Sequence, residues 1–291
     1  MGADRWLRRA ALVTAGRTIR YLGVDGSEWD LHGENMGAQG VYLTSLRGFY
    51  HPVRLPMKQT PAYMRGAKPG PSKTDPSVFD IKVFTTAESD EEWEDVEEAW
   101  WAAWSTDEDG VFVAGSRRGT FREQPIRLER WPEDPFDYEP EDVQEWTVPV
   151  VAYSPGWRSQ LLTSTWTVAN PHLYLANPGD IEIWVQFAGW GHGETIVSLP
   201  DGLGGDAINL SDVEIVDGEH WLIDTDQMQM VAETVTDTQL AARFAGMRFR
   251  HPIPPRTVTP VDTAPQVSVT GATGATEIKA YCQPLHQRPW G

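Results

Sequence analysis

The chain has 291 residues, 40% of them hydrophobic, with 14 Trp and a formal net charge of −18. That composition supplies real cores and excludes global disorder, and the length suggests about two domains. The acidity disfavours stable nucleic-acid binding and nonspecific attachment to anionic membrane, because like charges repel.

From the N-terminus, Arg5-Trp6-Leu7-Arg8-Arg9 and then Ala10–Ala15 give only a faint signal-peptide pattern. The apolar run is too short and no small-residue cleavage site follows. No run approaches the roughly 18 apolar residues of a membrane helix. The expectation is a soluble protein, made in cytoplasm. Residues 1–87 carry 12 Lys and Arg against 7 Asp and Glu, a net of +5. Strands are expected at Thr18–Gly23, Gly40–Leu43, Phe49–Leu55 and Val78–Thr85. Val24-Asp25-Gly26-Ser27 has the chemistry of a tight turn, with Asp25-Gly26 the hairpin signal. Pro56–Pro76, rich in Pro, Gly and Lys, is expected to be a long exposed loop.

Residues 88–145 carry 20 Asp and Glu against 5 Lys and Arg, most of the imbalance. A helix is expected over 89–105. Trp93, Val96, Trp100, Ala103 and Trp104 recur at helical spacing and form one apolar stripe. The opposite face is acidic and includes Glu91, Glu94, Asp95 and Glu98. Ser89 with Glu92 has the pattern of a capping box, and acids in the first turn suit the positive end of the helix dipole. The stripe must be buried, which assigns Trp93, Val96, Trp100 and Trp104 to packing. After it, Gly110–Ala114 and Gln124–Arg130 are expected to pair through Ser116–Thr120. Trp131–Glu145 is a second acidic loop.

A domain boundary is expected near Trp146–Trp157, giving domains 1–150 and 151–291. Thr147–Tyr153 restarts the strand pattern, and Ser154-Pro155-Gly156 is a turn. The second half has strand patterns at Ser164–Ala169, Leu173–Ala176, Ile181–Phe187, Thr195–Leu199, Ile208–Leu210, Glu214–Val216, His220–Asp224, Gln266–Thr270 and Thr276–Tyr281. Asp217-Gly218 is a hairpin signal between two of them. Asn177-Pro178-Gly179-Asp180 is a turn. A brief helix is expected at Asp237–Ala245. Many short strands separated by turns indicate a β-sandwich, and no period of 20–50 residues indicates a solenoid or propeller.

Chemical motifs are weak. Gly202-Leu203-Gly204-Gly205-Asp206-Ala207 fits the loose dinucleotide fingerprint, but Ile208-Asn209-Leu210 follows where a helix is required. No phosphate-binding loop or serine nucleophile elbow occurs. Cys282, the single cysteine, rules out an intrachain disulfide. His286 lies nearby, but no orienting third group is visible. The seven His are scattered, with no metal-ligand spacing, although His172, His192 and His220 could meet in a sandwich. Asp107-Glu108-Asp109-Gly110 lacks the alternating ligands of a calcium loop. Neither cofactor nor metal is expected. Trp184, Trp190 and His192 remain as a conceivable sugar platform, weighed against aromatic residues that simply fill a core.

The distinctive peptides carry no chemistry. They are Leu22–Trp29, Gly37–Leu43, Trp93–Trp104, Asn177–Asp180, Pro200–Leu203, Pro252–Thr257 and Arg288–Gly291. In this order and spacing the chain resembles minor tail proteins of siphoviruses that infect actinobacteria, and more specifically their distal tail protein. The resemblance covers nearly the whole chain. It implies a mainly β fold, with an N-terminal belt domain of sheets plus one helix and then a galectin-like β-sandwich. It implies a structural virion protein of the tail tip, not an enzyme. It further implies copies that close a sixfold ring joining the tail tube protein to the baseplate hub, with a channel for DNA. Glu91, Glu94, Asp95 and Glu98 are then candidates for a subunit interface or the channel wall. Two alternatives stay open: a carbohydrate- or receptor-binding tail component using Trp184 and Trp190, and a hydrolase of bacterial surface polymer.

Overall fold

The computed structural model describes residues 16–51, 54–59, 65–133, 143–154, 156–215, 217–229, 232–234 and 248–291. The expected helix at 237–245, the N-terminal run Arg5–Ala15 and most of the loop 131–145 lie outside these residues. The chain divides into two compact units. One takes the described residues up to Trp157 together with Gln287–Gly291; the other is Arg158–His286. Among the described residues no helix is long and apolar enough to cross a membrane.

In the first unit the strands are β1 (Thr18–Leu22), β2 (Glu28–His32), β3 (Val41–Arg47), β4 (Arg54–Gln59), β5 (Lys68–Thr74), β6 (Ser77–Thr86), β7 (Gly110–Gly115), β8 (Phe121–Leu128) and β9 (Val143–Ala152). The α-helix α1 (Asp90–Ala102) lies between β6 and β7. A sheet runs in the order β2-β1-β7-β8-β9-β6-β3, with every neighbouring pair antiparallel. Alternation sets its faces: along β6, Phe79, Ile81 and Val83 are buried while Val78 and Asp80 are exposed. The expected turn joins β1 to β2. Gly26 takes the positive φ, at 84°, and Asp25 Oδ1 accepts from Ser27 N at 2.9 Å.

Two expectations in this unit need correction. Pro56–Pro76 is not one long loop. β4 and β5 pair as an antiparallel ribbon, with Leu55 opposite Lys73 and Pro56 opposite Ser72. Each strand of a two-stranded ribbon has only one neighbour, so alternate amides face outward and proline costs no ladder bond there. Phe49–Leu55 is not one strand either. Phe49 is a buried core residue ahead of β4, where its ring meets Phe79, Phe112 and Trp157 edge-on.

The second unit follows the two-residue strand β10 (Trp157–Arg158). It holds β11 (Leu162–Thr167), β12 (Tyr174–Asn177), β13 (Val185–Trp190), β14 (Thr195–Pro200), β15 (Ala207–Glu214), β16 (His220–Asp224), β17 (Ala232–Thr234), β18 (Thr257–Asp262), β19 (Ser268–Thr270), β20 (Glu277–Cys282) and β21 (Leu285–His286). One sheet is ordered β11-β20-β13-β16-β17, a second β15-β14-β19, and β12 pairs β18. Phe187, Ile223 and Ile278 from the first sheet share one core with Ile196, Leu199 and Leu210 from the second. That is a sandwich.

The Asp217-Gly218 turn forms, with Gly218 at φ 82°, but it is not a hairpin. β15 pairs with β14 and β16 with β13. The turn carries the chain from one sheet to the other. Asp-Gly dictates a local reversal, and burial on facing sheets decides the partners. The expected strand Ile181–Phe187 is regular only from Val185; Ile181 and Ile183 make isolated bridges to Leu285 and Ile253.

Candidate interaction surfaces

Helix α1 begins at Ser89, whose side chain accepts from Glu92 N at 3.3 Å. Asp90, Glu91 and Glu92 occupy its first turn and no base occupies its last. Its apolar side is held by rings. Trp93 (5% exposed), Trp100 (0%) and Trp104 (4%) are buried, and Val96 packs half-buried against the same core. Tyr21 stacks on Trp104 at 4.0 Å between ring centroids, and Trp100 meets Trp29 edge-on at 5.1 Å. Tyr21 Oη donates to the Ala103 carbonyl at 2.7 Å, and Val24 N donates to that carbonyl at 3.0 Å. The strand hairpin thus satisfies a helix-end acceptor that would otherwise be orphaned. Thr85 Oγ1 accepts from the indoles of Trp93 (3.1 Å) and Trp146 (3.3 Å). The stripe omitted Trp101, which is half-buried and meets Trp146 edge-on at 4.9 Å. It lies beside the apolar stripe, so spacing alone did not reveal it.

With that side fixed, Glu91, Glu94, Asp95 and Glu98 are all exposed on the helix. Glu97 differs: desolvation pushes its carboxyl up, opposed by a hydrogen bond with the Trp101 side chain. The same unit carries a surface of opposite sign. The segment 54–74 contains Arg54, Lys58, Arg65, Lys68 and Lys73 and no acid. Lys58, Arg65 and Lys68 are exposed, as are Leu55 and Met57.

The distinctive peptides turn out to be joints. In the first unit, a Cβ on Gly40 would lie 3.0 Å from both Val96 methyls, and one on Gly37 would sit 2.1 Å from the Tyr42 ring. Trp290 Nε1 donates to the Gly115 carbonyl at 2.8 Å, and Arg122 donates to the Arg288 carbonyl at 2.7 Å. In the second unit, Asn177 Nδ2 donates to the carbonyls of Ile181 and Ile253, and Arg256 N donates to Gly179 O. Asp201 accepts from the amides of Arg250 and His251 and pairs with His251 Nδ1 at 2.7 Å. A Cβ on Gly202 would strike the His251 carbonyl. These residues fasten segments far apart in sequence, which accounts for their identity without chemistry.

The weak chemical motifs have structural explanations. The 202–207 loop leads straight into β15. Cys282 is buried in the core and burial pushes its thiol up, while His286 Nε2 lies 3.1 Å from Ser159 Oγ. His172 pairs with Asp262 at 2.6 Å, His192 lies 3.9 Å from Asp217, and His220 packs on Trp190. Among the described residues no three His, Cys, Asp or Glu gather to hold a metal. Asp109 is taken by Arg127 at 2.6 Å.

Trp184 and Trp190 have different fates. Trp184 is half-buried against the core of the second unit. Trp190 is 43% exposed and stands at a surface hollow of about 390 Å³. Trp184 does not line that hollow; His220, Glu233, Glu277, Lys279 and Tyr281 do.

No protein-family model matches the sequence, and no curated protein is similar to it. Solved structures do match. The Dit protein of phage SPP1, a paradigm of the hub adsorption apparatus in phages infecting Gram-positive bacteria, aligns with a TM-score of 0.57 and 12% identity over 92% of this chain and 98% of that one. A chain of the phage P2 baseplate, in its activated conformation with Ca, aligns at 0.52 and 9% identity over 92% and 98%. The same baseplate with Sr aligns at 0.51 and 9% over 92% and 97%. The fold is therefore shared along nearly the full length of both partners, and the sequence resemblance points to the same group of proteins.

Proposed function

We propose that this protein is a structural subunit of a phage tail tip. Copies close into a ring, sixfold by the resemblance, between the tail tube protein and the baseplate hub, and DNA passes through the opening. The protein makes and breaks no bonds. It is made in the bacterial host cytoplasm and ends in the virion. The first unit forms the belt of the ring, and the second, Arg158–His286, is a galectin-like sandwich, so the boundary expected at 150 moves to Trp157 and Gln287–Gly291 returns to the belt unit.

One observation carries this reading: the match to SPP1 Dit spans 92% of this chain and 98% of that protein. The charge distribution supports it. A closed ring needs two different complementary patches on each subunit. The basic segment 54–74 and the acids Glu91, Glu94, Asp95 and Glu98 are such a pair, the acids meeting the neighbour's bases. Charge of this kind sets register and partner choice more than affinity. Acids left facing the channel would repel DNA phosphates and keep them from sticking.

Native mass measurement of the purified protein tests the ring. The expected species is a multiple of the 32.6 kDa subunit, a hexamer, that loosens as salt screens the charged contact. A monomer at every concentration and salt, with tail-tube and hub partners added, would overturn the proposal.

A further inference from the structure

The outer face of the sheet β11-β20-β13-β16-β17 carries a hollow. Its shape follows from strand register. On β13, Trp190 lies opposite His220 of β16 and Glu277 of β20, and Ala188 lies opposite Leu222 and Lys279. One pair further along, Gln186 lies opposite Tyr281. Side chains two apart on a strand share a face. Ala188 is thus a low floor, with Trp190 at one end and Tyr281 at the other. Lys279 and Glu277 stand along one side, 3.7 Å apart.

Trp190 is held in place. Its ring and that of His220 are perpendicular, with planes at 84° and centroids 3.9 Å apart. The indole is thus held half open beside a floor of Ala188 and Leu222, with His220, Glu233, Glu277, Lys279 and Tyr281 as the polar groups around it.

We infer that this hollow binds a neutral hexopyranose, presented as part of a polysaccharide. One face of such a ring is a plane of C–H bonds, apolar and slightly positive, which stacks on the negative face of an indole. Its rim of hydroxyls needs both donors and acceptors. Lys279 donates, Glu277 and Glu233 accept, and Tyr281 does either. The volume, about 390 Å³, falls within the range of small-ligand sites. The chemistry argues against other ligands. Carboxylates at the rim repel phosphate and sulfate. A peptide adding to a sheet uses a strand edge, and this hollow is on the face. The site replaces the pair Trp184 and Trp190 with Trp190, Lys279, Glu277 and Tyr281.

The test is binding of the full chain to an array of neutral hexose oligosaccharides, with phosphorylated and sialylated glycans alongside, followed by calorimetry on soluble hits. Wild type binds one or more neutral glycans. Trp190→Ala weakens binding about tenfold or more, and Trp190→Phe, which keeps a ring, about threefold. Ala188→Gln, which fills the floor and leaves Trp190 in place, weakens it by about tenfold or more as well. Trp131→Ala, an exposed indole of the first unit, changes nothing. Wild type binding no neutral glycan at about 10 mM, binding only acidic glycans, or binding equally well as Trp190→Ala and Ala188→Gln overturns the inference. The ring is untouched by these outcomes, since each variant is expected to assemble as wild type does.

Discussion

The two units bury their chains in different ways. The first is built on rings: Tyr21, Trp29, Phe49, Trp100, Trp104, Phe112, Trp146 and Trp157 all belong to its core. The second is built mostly on aliphatics, with Leu173, Leu175, Val185, Ile196, Leu199, Leu210, Ile223 and Ile253 between its sheets. A sandwich of two sheets presents matched faces that branched side chains fill evenly. A helix on a sheet touches it along a line, so a few large rings must carry the contact. The lesson is that the first unit concentrates its stability in few side chains and the second spreads it.

Cutting one ring against one aliphatic should expose that contrast most strongly. Trp100→Ala removes a fully buried indole that meets Tyr21, Trp29 and Trp104, and should destabilise the first unit by about 3–5 kcal/mol. Leu210→Ala in the sandwich should cost about 2–4 kcal/mol. Denaturant melts followed by near-UV circular dichroism should show Trp100→Ala loosening the helix side first. Equal effects on both units would contradict the concentration of contacts.

Thr85→Val sharpens the comparison. It keeps shape but removes the acceptor that Thr85 Oγ1 offers the buried indole N–H of Trp93, at about 1–3 kcal/mol, measured by the same melts. A nearly neutral change would mean these bonds contribute little.

A smaller effect depends on pH. Burial holds His32 below its usual range, and among the described residues its Nε2 has no partner. The unfolded His32 takes up a proton near pH 6.5. As pH falls below that value the unfolded state binds more protons, so stability is complete above it and declines below it. The slope from this one group is at most about 1.4 kcal/mol per pH unit. His32→Gln should flatten it in melts between pH 7 and 5, and an unchanged slope would exclude His32 as its source.

The smallest effect on folding should come from charge. Replacing Glu91, Glu94, Asp95 and Glu98 together with Gln should change subunit stability by less than about 0.5 kcal/mol per site. Its effect should appear in assembly, as a ring whose mass no longer depends on salt. A large loss of folding stability would place these acids in the subunit's own fold.

Sequence pattern revealed the first unit better where signals were local. The helix was legible because its rings repeat at the helical period and Ser89 caps it. The β1–β2 turn was legible because Asp25-Gly26 suits only one kind of reversal. The ribbon β4–β5 was not, because Pro56, Pro69, Gly70 and Pro71 are loop residues by composition, and only the ribbon's open edges make them tolerable. Pairing across the Asp217-Gly218 turn was not legible either, since a turn fixes direction and distant burial fixes partners. Trp184 and Trp190 are alike as residues; the core that covers one and spares the other exists only in the fold. Nothing local in Gln287–Gly291 marks its place in the first unit, where Trp290 packs near Phe49. The distinctive peptides spoke of kinship before chemistry because they are joints.

The central claim is that copies of this chain close a collar at the end of a tail. Electron microscopy of assembled tails, with this subunit labelled, tests it most directly. The account predicts a closed ring of labels at the junction of tube and baseplate, around an open passage. Tails complete without the label, or labels scattered singly along the particle, would contradict it.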